Sequence, residues 1–135
     1  PLFTERCEVK LNAERLEKKN RHWQQVAVSA CEQCQRNTLP VIQPAVSLEQ
    51  YLSTVNEGLK LVLHHRSSQR LDEMRNQNNQ VTLLVGPEGG LSEREISLAI
   101  RAGFSPLTIG PRVLRTETAP LAAISIIQSL WGDMG

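Results

Sequence analysis

Apolar residues along this chain fall into short runs that alternate with helical stripes. Leu59–His64 and Val81–Val85 are compact β-branched and leucine-rich runs of the kind that form fully buried parallel strands, and Leu39–Ile42 and Pro106–Ile109 read as shorter strands. Helical periods lie between them. The first, from about Asn12 to Gln35, carries Leu16, Trp23, Val26, Ala27 and Ala30 at helical spacing, with Asn12 as its cap. A second runs from Ser47 to Val55, and a weak one lies near Ser68–Arg75. Another starts at about Leu91–Ser92, where Ser92 and Glu95 have capping-box spacing, and ends with Gly103 at C′. The last, about Ala119–Trp131 with Thr116 or Thr118 as its cap, is apolar on most sides, so it is expected to be buried within the domain or against another subunit. Asn76–Gln80 reads as a polar loop. Strict alternation of strand and helix predicts an α/β fold, a parallel sheet with helices on both faces.

The junction after Val81–Val85 holds the first candidate chemistry. Gly86-Pro87-Glu88-Gly89-Gly90 joins a buried strand to a capped helix, whose orphan N–H groups and positive dipole end are expected to face the loop. Junctions of this kind bind ligands at the carboxyl edge of an α/β sheet. The loop is not a phosphate cradle, because it lacks both the G-x-G-x-x-G spacing and the lysine of G-x-x-x-x-G-K-[ST], and Glu88 would repel a polyphosphate. A carboxylate beside glycines suits ribose hydroxyls or a cationic ligand; taken alone, the loop fits a tight turn with a solvated Glu88 equally well. A second unusual run, GPRVLRTETAPLAAISIIQSLWG, follows one helix and one strand later, with Gly110 and Pro111 breaking the strand and Arg112 and Arg115 separated by Val113-Leu114.

Composition narrows the field. A chain of 135 residues with 40% hydrophobic content and mixed charge fits one globular domain with a real core, and no apolar run approaches the length of a membrane span. The net charge of +1 is too small to be an electrostatic footprint for nucleic acid, and Lys18-Lys19-Arg21 reads as a solvated helix face. Cys31-x-x-Cys34 sits inside a helical pattern, with no second pair or histidine spacing to complete a zinc site. The cysteines fit structural thiols in a reduced, cytoplasmic protein. His64 and His65 are adjacent on a strand and point to opposite faces, so they cannot chelate one ion together. No metal is expected.

LLVGPEGGLS together with LTIGPRVLRTETA resembles the RsmE family of SPOUT-class methyltransferases, which use S-adenosylmethionine to methylate N3 of a uridine in 16S ribosomal RNA. A third segment, Ala30 to Arg36, is similar to the family's E-Q-C-G-R element, with Gln35 where glycine is usual. The resemblance runs through nearly the whole chain. It implies a C-terminal trefoil knot and a cofactor pocket formed by Leu63, His64, Gly86, Glu88, Gly89, Gly90, Ile109, Gly110, Val113 and Leu114. It implies that Arg115 stabilises the uridine anion, with Glu117 as base or as a partner that orients an arginine. Arg112 is the expected phosphate contact, and Arg36 belongs either to the RNA-facing surface or to a helix-end ion pair with Glu32. The expected partners are 16S rRNA or the small ribosomal subunit and a second copy of the chain, with no membrane. Family members usually begin with a barrel-like RNA-binding domain followed by the first strand and helix of the methyltransferase domain; this chain starts at Pro1, which reads as a fragment beginning after them. Three other readings stay open: a cofactor-binding or dimerisation module without activity alone, an unrelated α/β enzyme binding another nucleoside, and a SPOUT enzyme acting on another RNA.

Overall fold

Apolar runs become strands and capped segments become helices in the computed structural model, which describes residues 1–7, 12–55, 57–67, 69–74 and 80–135. In chain order these are β1 (Leu2–Phe3), α1 (Ala13–Gln33), β2 (Val46–Ser47), α2 (Leu48–Leu52), β3 (Leu59–Leu63), β4 (Val81–Leu84), α3 (Glu93–Arg101), β5 (Ser105–Leu107) and α4 (Thr118–Trp131). All pairings are parallel, as the alternation predicts. The main sheet has the order β4-β3-β5, while β1 and β2 form a separate two-stranded pair.

Successive residues of β3 show why the central strand is apolar throughout. Val62 packs with Leu84 against Leu48, Ile96, Ala99 and Phe104 on the face covered by α2 and α3. Leu61 packs with Leu107 and Leu71 on the opposite face, against Ile127 and Trp131 of α4. Both faces are therefore covered, and both Leu61 and Val62 are fully buried.

Local signals explain most boundaries. Asn12 caps α1 by accepting the Arg15 N–H at 2.9 Å, and Ser47 caps α2 by accepting the Gln50 N–H at 3.1 Å. α2 stops at Leu52, short of Val55, because the Ser53 and Thr54 hydroxyls donate back to the carbonyls of Gln50 and Tyr51 and compete with the helical ladder. The capping box of α3 forms fully: Glu95 N–H donates to Ser92 Oγ at 3.1 Å, and Ser92 N–H donates to Glu95 Oε2 at 2.9 Å.

Four expectations are corrected. Leu39–Ile42 is not a strand: Pro40 has no N–H to offer a ladder, and Gln24 of α1 instead donates to the Pro40 carbonyl and accepts the Ile42 N–H, each at 3.0 Å. The helix near Ser68–Arg75 is one 3₁₀ turn, Leu71–Glu73; Ser68 and Arg75 lie outside the described residues, as does the loop over 76–80 apart from Gln80. β5 ends at Leu107, because Thr108 turns its hydroxyl to the carbonyls of His64 and Ser67 at 2.8 and 2.7 Å. Neither Thr116 nor Thr118 caps α4. The N–H groups of Thr118 and Ala119 donate to the Arg115 carbonyl, and Pro120 has none, so no first-turn donor is left for a side-chain cap.

The apolar faces of the two long helices are only partly covered. Cys31 is the sole buried residue of α1 and Ala123 that of α4, whereas Leu121 is 68% exposed and Ile124 48% exposed. Among the described residues, no helix is long and apolar enough to cross a membrane.

α1 ends in a Schellman motif in which Arg36 N–H reaches the Cys31 carbonyl at 2.9 Å. Its left-handed position is Gln35, φ 61°, the one non-glycine residue at positive φ among those described. Replacing Gln35 with glycine is therefore expected to stabilise the protein by about 1 kcal/mol, read as a higher urea midpoint. Glu95 is 2% exposed, and its two oxygens accept from Ser92 N–H and Glu5 N–H. Glu95→Ala strands the buried Ser92 donor and the part-buried Glu5 donor and is expected to cost about 2 kcal/mol in the same measurement.

Candidate functional site

Parallel pairing brings the carboxyl ends of β3, β4 and β5 to one edge of the sheet, and a cavity of about 370 Å³ opens there. Three segments wall it. Leu63–Arg66 follows β3, Val85–Leu91 follows β4, and Leu107–Ile109 with Arg112–Leu114 follows β5. Thr116 and Ala119 close it at the start of α4.

Nine residues singled out as a cofactor set from the sequence line this cavity: Leu63, His64, Gly86, Glu88, Gly89, Gly90, Ile109, Val113 and Leu114. Arg112 joins them. Gly110 lies instead on the wall of a second cavity of about 550 Å³, between Ser67 with Gln69–Asp72, Leu107–Pro111 and the α4 residues Ala123, Ile126 and Leu130. Leu107, Thr108 and Ile109 are the partition between the two. Arg115 and Glu117 flank the lining residue Thr116 but are exposed and line neither cavity. Arg36 sits exposed beyond the end of α1, and neither an Arg36–Glu32 pair nor a Glu117–arginine pair occurs among the described ion pairs.

Loop geometry accounts for the glycines. The Gly90 N–H donates to the Pro87 carbonyl at 2.8 Å, closing a turn that puts Gly90 at φ 71°. A Cβ on Gly86 would stand 2.9 Å from the Leu91 amide nitrogen, so the fold-back of the loop excludes any side chain there. At the start of α3 the capping box takes up the N–H groups of Ser92 and Glu95. What the cavity offers is apolar walls from Leu63, Ile109 and Leu114, loop backbone groups, the acids Glu88 and Glu93, and the arginines Arg6, Arg66 and Arg112. Arg66 and Glu93 approach to 3.8 Å in an exposed pair. Among the described residues no cluster of three His, Cys, Asp or Glu side chains is placed to hold a metal ion.

Sequence reasoning missed Arg6, whose guanidinium donates to the Gly89 carbonyl at 2.8 Å across 83 residues of chain. Nothing in its local sequence announces that contact. His65, Arg66 and Glu93 were also missed as lining residues, although His65 adjoins His64, which was identified.

The model of the RNA methyltransferase domain family matches residues 1–128. This chain belongs to that family. Among its relatives are proteins called ribosomal RNA small subunit methyltransferase E, as the resemblance implied. One from Buchnera aphidicola of Schizaphis graminum is 40% identical over 99% of this chain and 55% of its own length; another, from Bacillus subtilis, is 32% identical over 94% and 53%. This RNA methyltransferase domain chain thus spans about half the length of the curated relatives it matches. A solved Neisseria gonorrhoeae enzyme of the same name, bound to S-adenosyl methionine, superimposes with a TM-score of 0.93 at 40% identity, over 100% of this chain and 55% of that one. A Legionella pneumophila structure with the bound cofactor SAM gives 0.90 at 44% identity, over 96% and 54%.

In this family member, a charge cluster ties helix α3 to the chain's start and to α2. Arg94 contacts Glu5 at 2.9 Å and Glu49 at 3.0 Å. A hydrogen bond from Ser92, then Arg94, holds the Glu5 carboxyl below its ordinary 4.5, and the Glu49 backbone N–H followed by Arg94 does the same for Glu49. Because both folded values are depressed, their contribution is fully present above 4.5 and is lost as pH falls through the lowered values. Urea midpoints from about pH 6 to about pH 3 should decline less steeply in Arg94→Ala than in the wild type.

Proposed function

We propose that this domain binds S-adenosylmethionine in the cavity at the carboxyl edge of the sheet and methylates N3 of a uridine in 16S ribosomal RNA of the small subunit. The observation that carries the reading is the convergence of the Gly86–Gly90 loop and the Ile109–Leu114 segment on one cavity, in a chain that superimposes on a structure bound to S-adenosyl methionine with a TM-score of 0.93. The residues present fit that cofactor: about 370 Å³ lies within the usual range of ligand sites, with apolar walls for an adenine and carboxylates for ribose hydroxyls.

The cofactor supplies an activated methyl group on a sulfonium. The protein's part is to position the acceptor in line with it and to stabilise the imide anion as the N3 proton leaves. On this reading Arg115 places its charge near the uridine carbonyl oxygens, and Arg112, at the cavity mouth, meets an RNA phosphate. Glu117, exposed at the N-terminal end of α4, accepts the N3 proton. Arg36 belongs to a wider RNA-facing surface. Bulk affinity for RNA is assigned to the barrel-like domain that the family resemblance implies, since the net charge here is only +1.

A trefoil knot belongs to the same proposal. In its support, the loop after β3 grips the end of β5: Ser67 Oγ donates to the Pro106 carbonyl at 2.8 Å, and Thr108 binds the carbonyls of His64 and Ser67. The open apolar side of α4 supports a homodimer, and the substrate a cytoplasmic site of action.

Isothermal titration of the protein with S-adenosylhomocysteine tests the core of the proposal. Saturable binding is expected in the wild type and is expected to vanish in Gly90→Arg, whose side chain enters the cavity, with folding of both checked by circular dichroism. A folded wild-type protein that takes up no heat-detectable ligand would refute the cofactor site. With purified small subunits, Arg115→Ala is expected to lower the methylation rate by about a hundredfold or more while leaving cofactor affinity within about threefold.

A further inference from the structure

The Gly86–Gly90 loop is braced from outside. Its own contacts account for Gly86, folded against Leu91, and for Gly90, held at φ 71° by the turn to Pro87. Gly89 is different. It is not among the residues at positive φ, so its backbone makes no demand for glycine. What stands over it is Arg6: a Cβ added at Gly89 would lie 3.3 Å from Arg6 Cβ and 3.5 Å from Arg6 Cδ. The arginine stem crosses this glycine, and its guanidinium turns down to bind the Gly89 carbonyl at 2.8 Å on the cavity wall.

Arg6 is itself firmly placed. The preceding residue donates its backbone N–H to the buried Glu95 carboxylate at 2.8 Å, and the Glu5 side chain takes Arg94 at 2.9 Å. Helix α3 therefore anchors the turn at Glu5–Arg6, and the turn in turn holds the carbonyl of the loop that precedes α3.

We infer that Arg6 is a positioning residue for the cofactor site, fixing the Gly89–Gly90 peptide so that the loop meets its ligand already in shape, and that Gly89 is glycine because Arg6 passes over it. The inference rests on the cofactor reading above. A loop ordered before binding loses less conformational freedom when the ligand arrives, so the brace acts on affinity rather than on global stability.

The test is titration of the purified protein with S-adenosylhomocysteine in the wild type, Arg6→Met, Arg6→Lys and Gly89→Ala, with the thermal midpoint recorded for each. Arg6→Met keeps the stem and removes the donor, and should weaken binding about tenfold with an unchanged midpoint. Arg6→Lys should restore most of the affinity, because an ammonium reaches the same carbonyl. Gly89→Ala keeps the arginine but displaces its stem, and should weaken binding as well. Wild-type affinity in Arg6→Met overturns the inference. So does an equal loss in the Met and Lys variants accompanied by a lower midpoint, which would give Arg6 a purely structural part. Absence of binding in the wild type would instead bring down the cofactor reading and this inference with it.

Discussion

A carboxylate that is 2% exposed can be kept in a protein only if its oxygens are satisfied, and Glu95 meets that condition by binding two backbone segments at once. One oxygen closes the capping box at Ser92; the other takes the Glu5 N–H, 90 residues away in the chain. The first contact starts α3 at a defined residue and so sets where the glycine loop must end. The second holds the chain's first turn against that helix, which brings Arg6 over Gly89 and Glu5 within reach of Arg94. Loop, helix start and β1 segment are consequently one unit.

A comparable role on the other side of the cavity falls to Thr108. Its hydroxyl replaces strand pairing beyond Leu107 and, with the Ser67 hydroxyl on the Pro106 carbonyl, binds the turn after β3 to the end of β5. That exchange releases Ile109 and the residues after it from the sheet, which lets them wall a cavity. It also leaves Leu107–Ile109 as a thin partition between two openings, one facing the glycine loop and one facing α4.

Much of this was legible along the chain, for local reasons. Asn12, Ser47 and Ser92 cap helices because their side chains reach N–H groups three residues on, a geometry that any helix start shares. The two glycine-containing loops were visible because permissive residues beside apolar runs mark strand ends, and parallel order then put both at one sheet edge. Gln35 was visible as a departure, and the left-handed φ it adopts is the physical meaning of a glycine there. Where the expectations failed, a competing hydrogen bond had changed the outcome: Gln24, from α1, occupies the backbone groups of Pro40 and Ile42, and the neighbouring Arg115 carbonyl removes the need for a threonine cap on α4.

The sequence by itself thus determined the parallel α/β class, the helix starts, and the two loops that converge on a cavity, because each follows from residues within a few positions of one another. Only the tertiary structure decided that Arg6 stands over Gly89, that Glu95 spans two segments, and that Gly110 faces the second cavity rather than the first. Those contacts join residues far apart in the chain through single polar atoms, which leave no periodicity or spacing to read. The same holds for the extent of burial on α4: its composition marks it as apolar all round, but only the packed sheet shows that Ile127 and Trp131 face inward while Leu121 and Ile124 remain open.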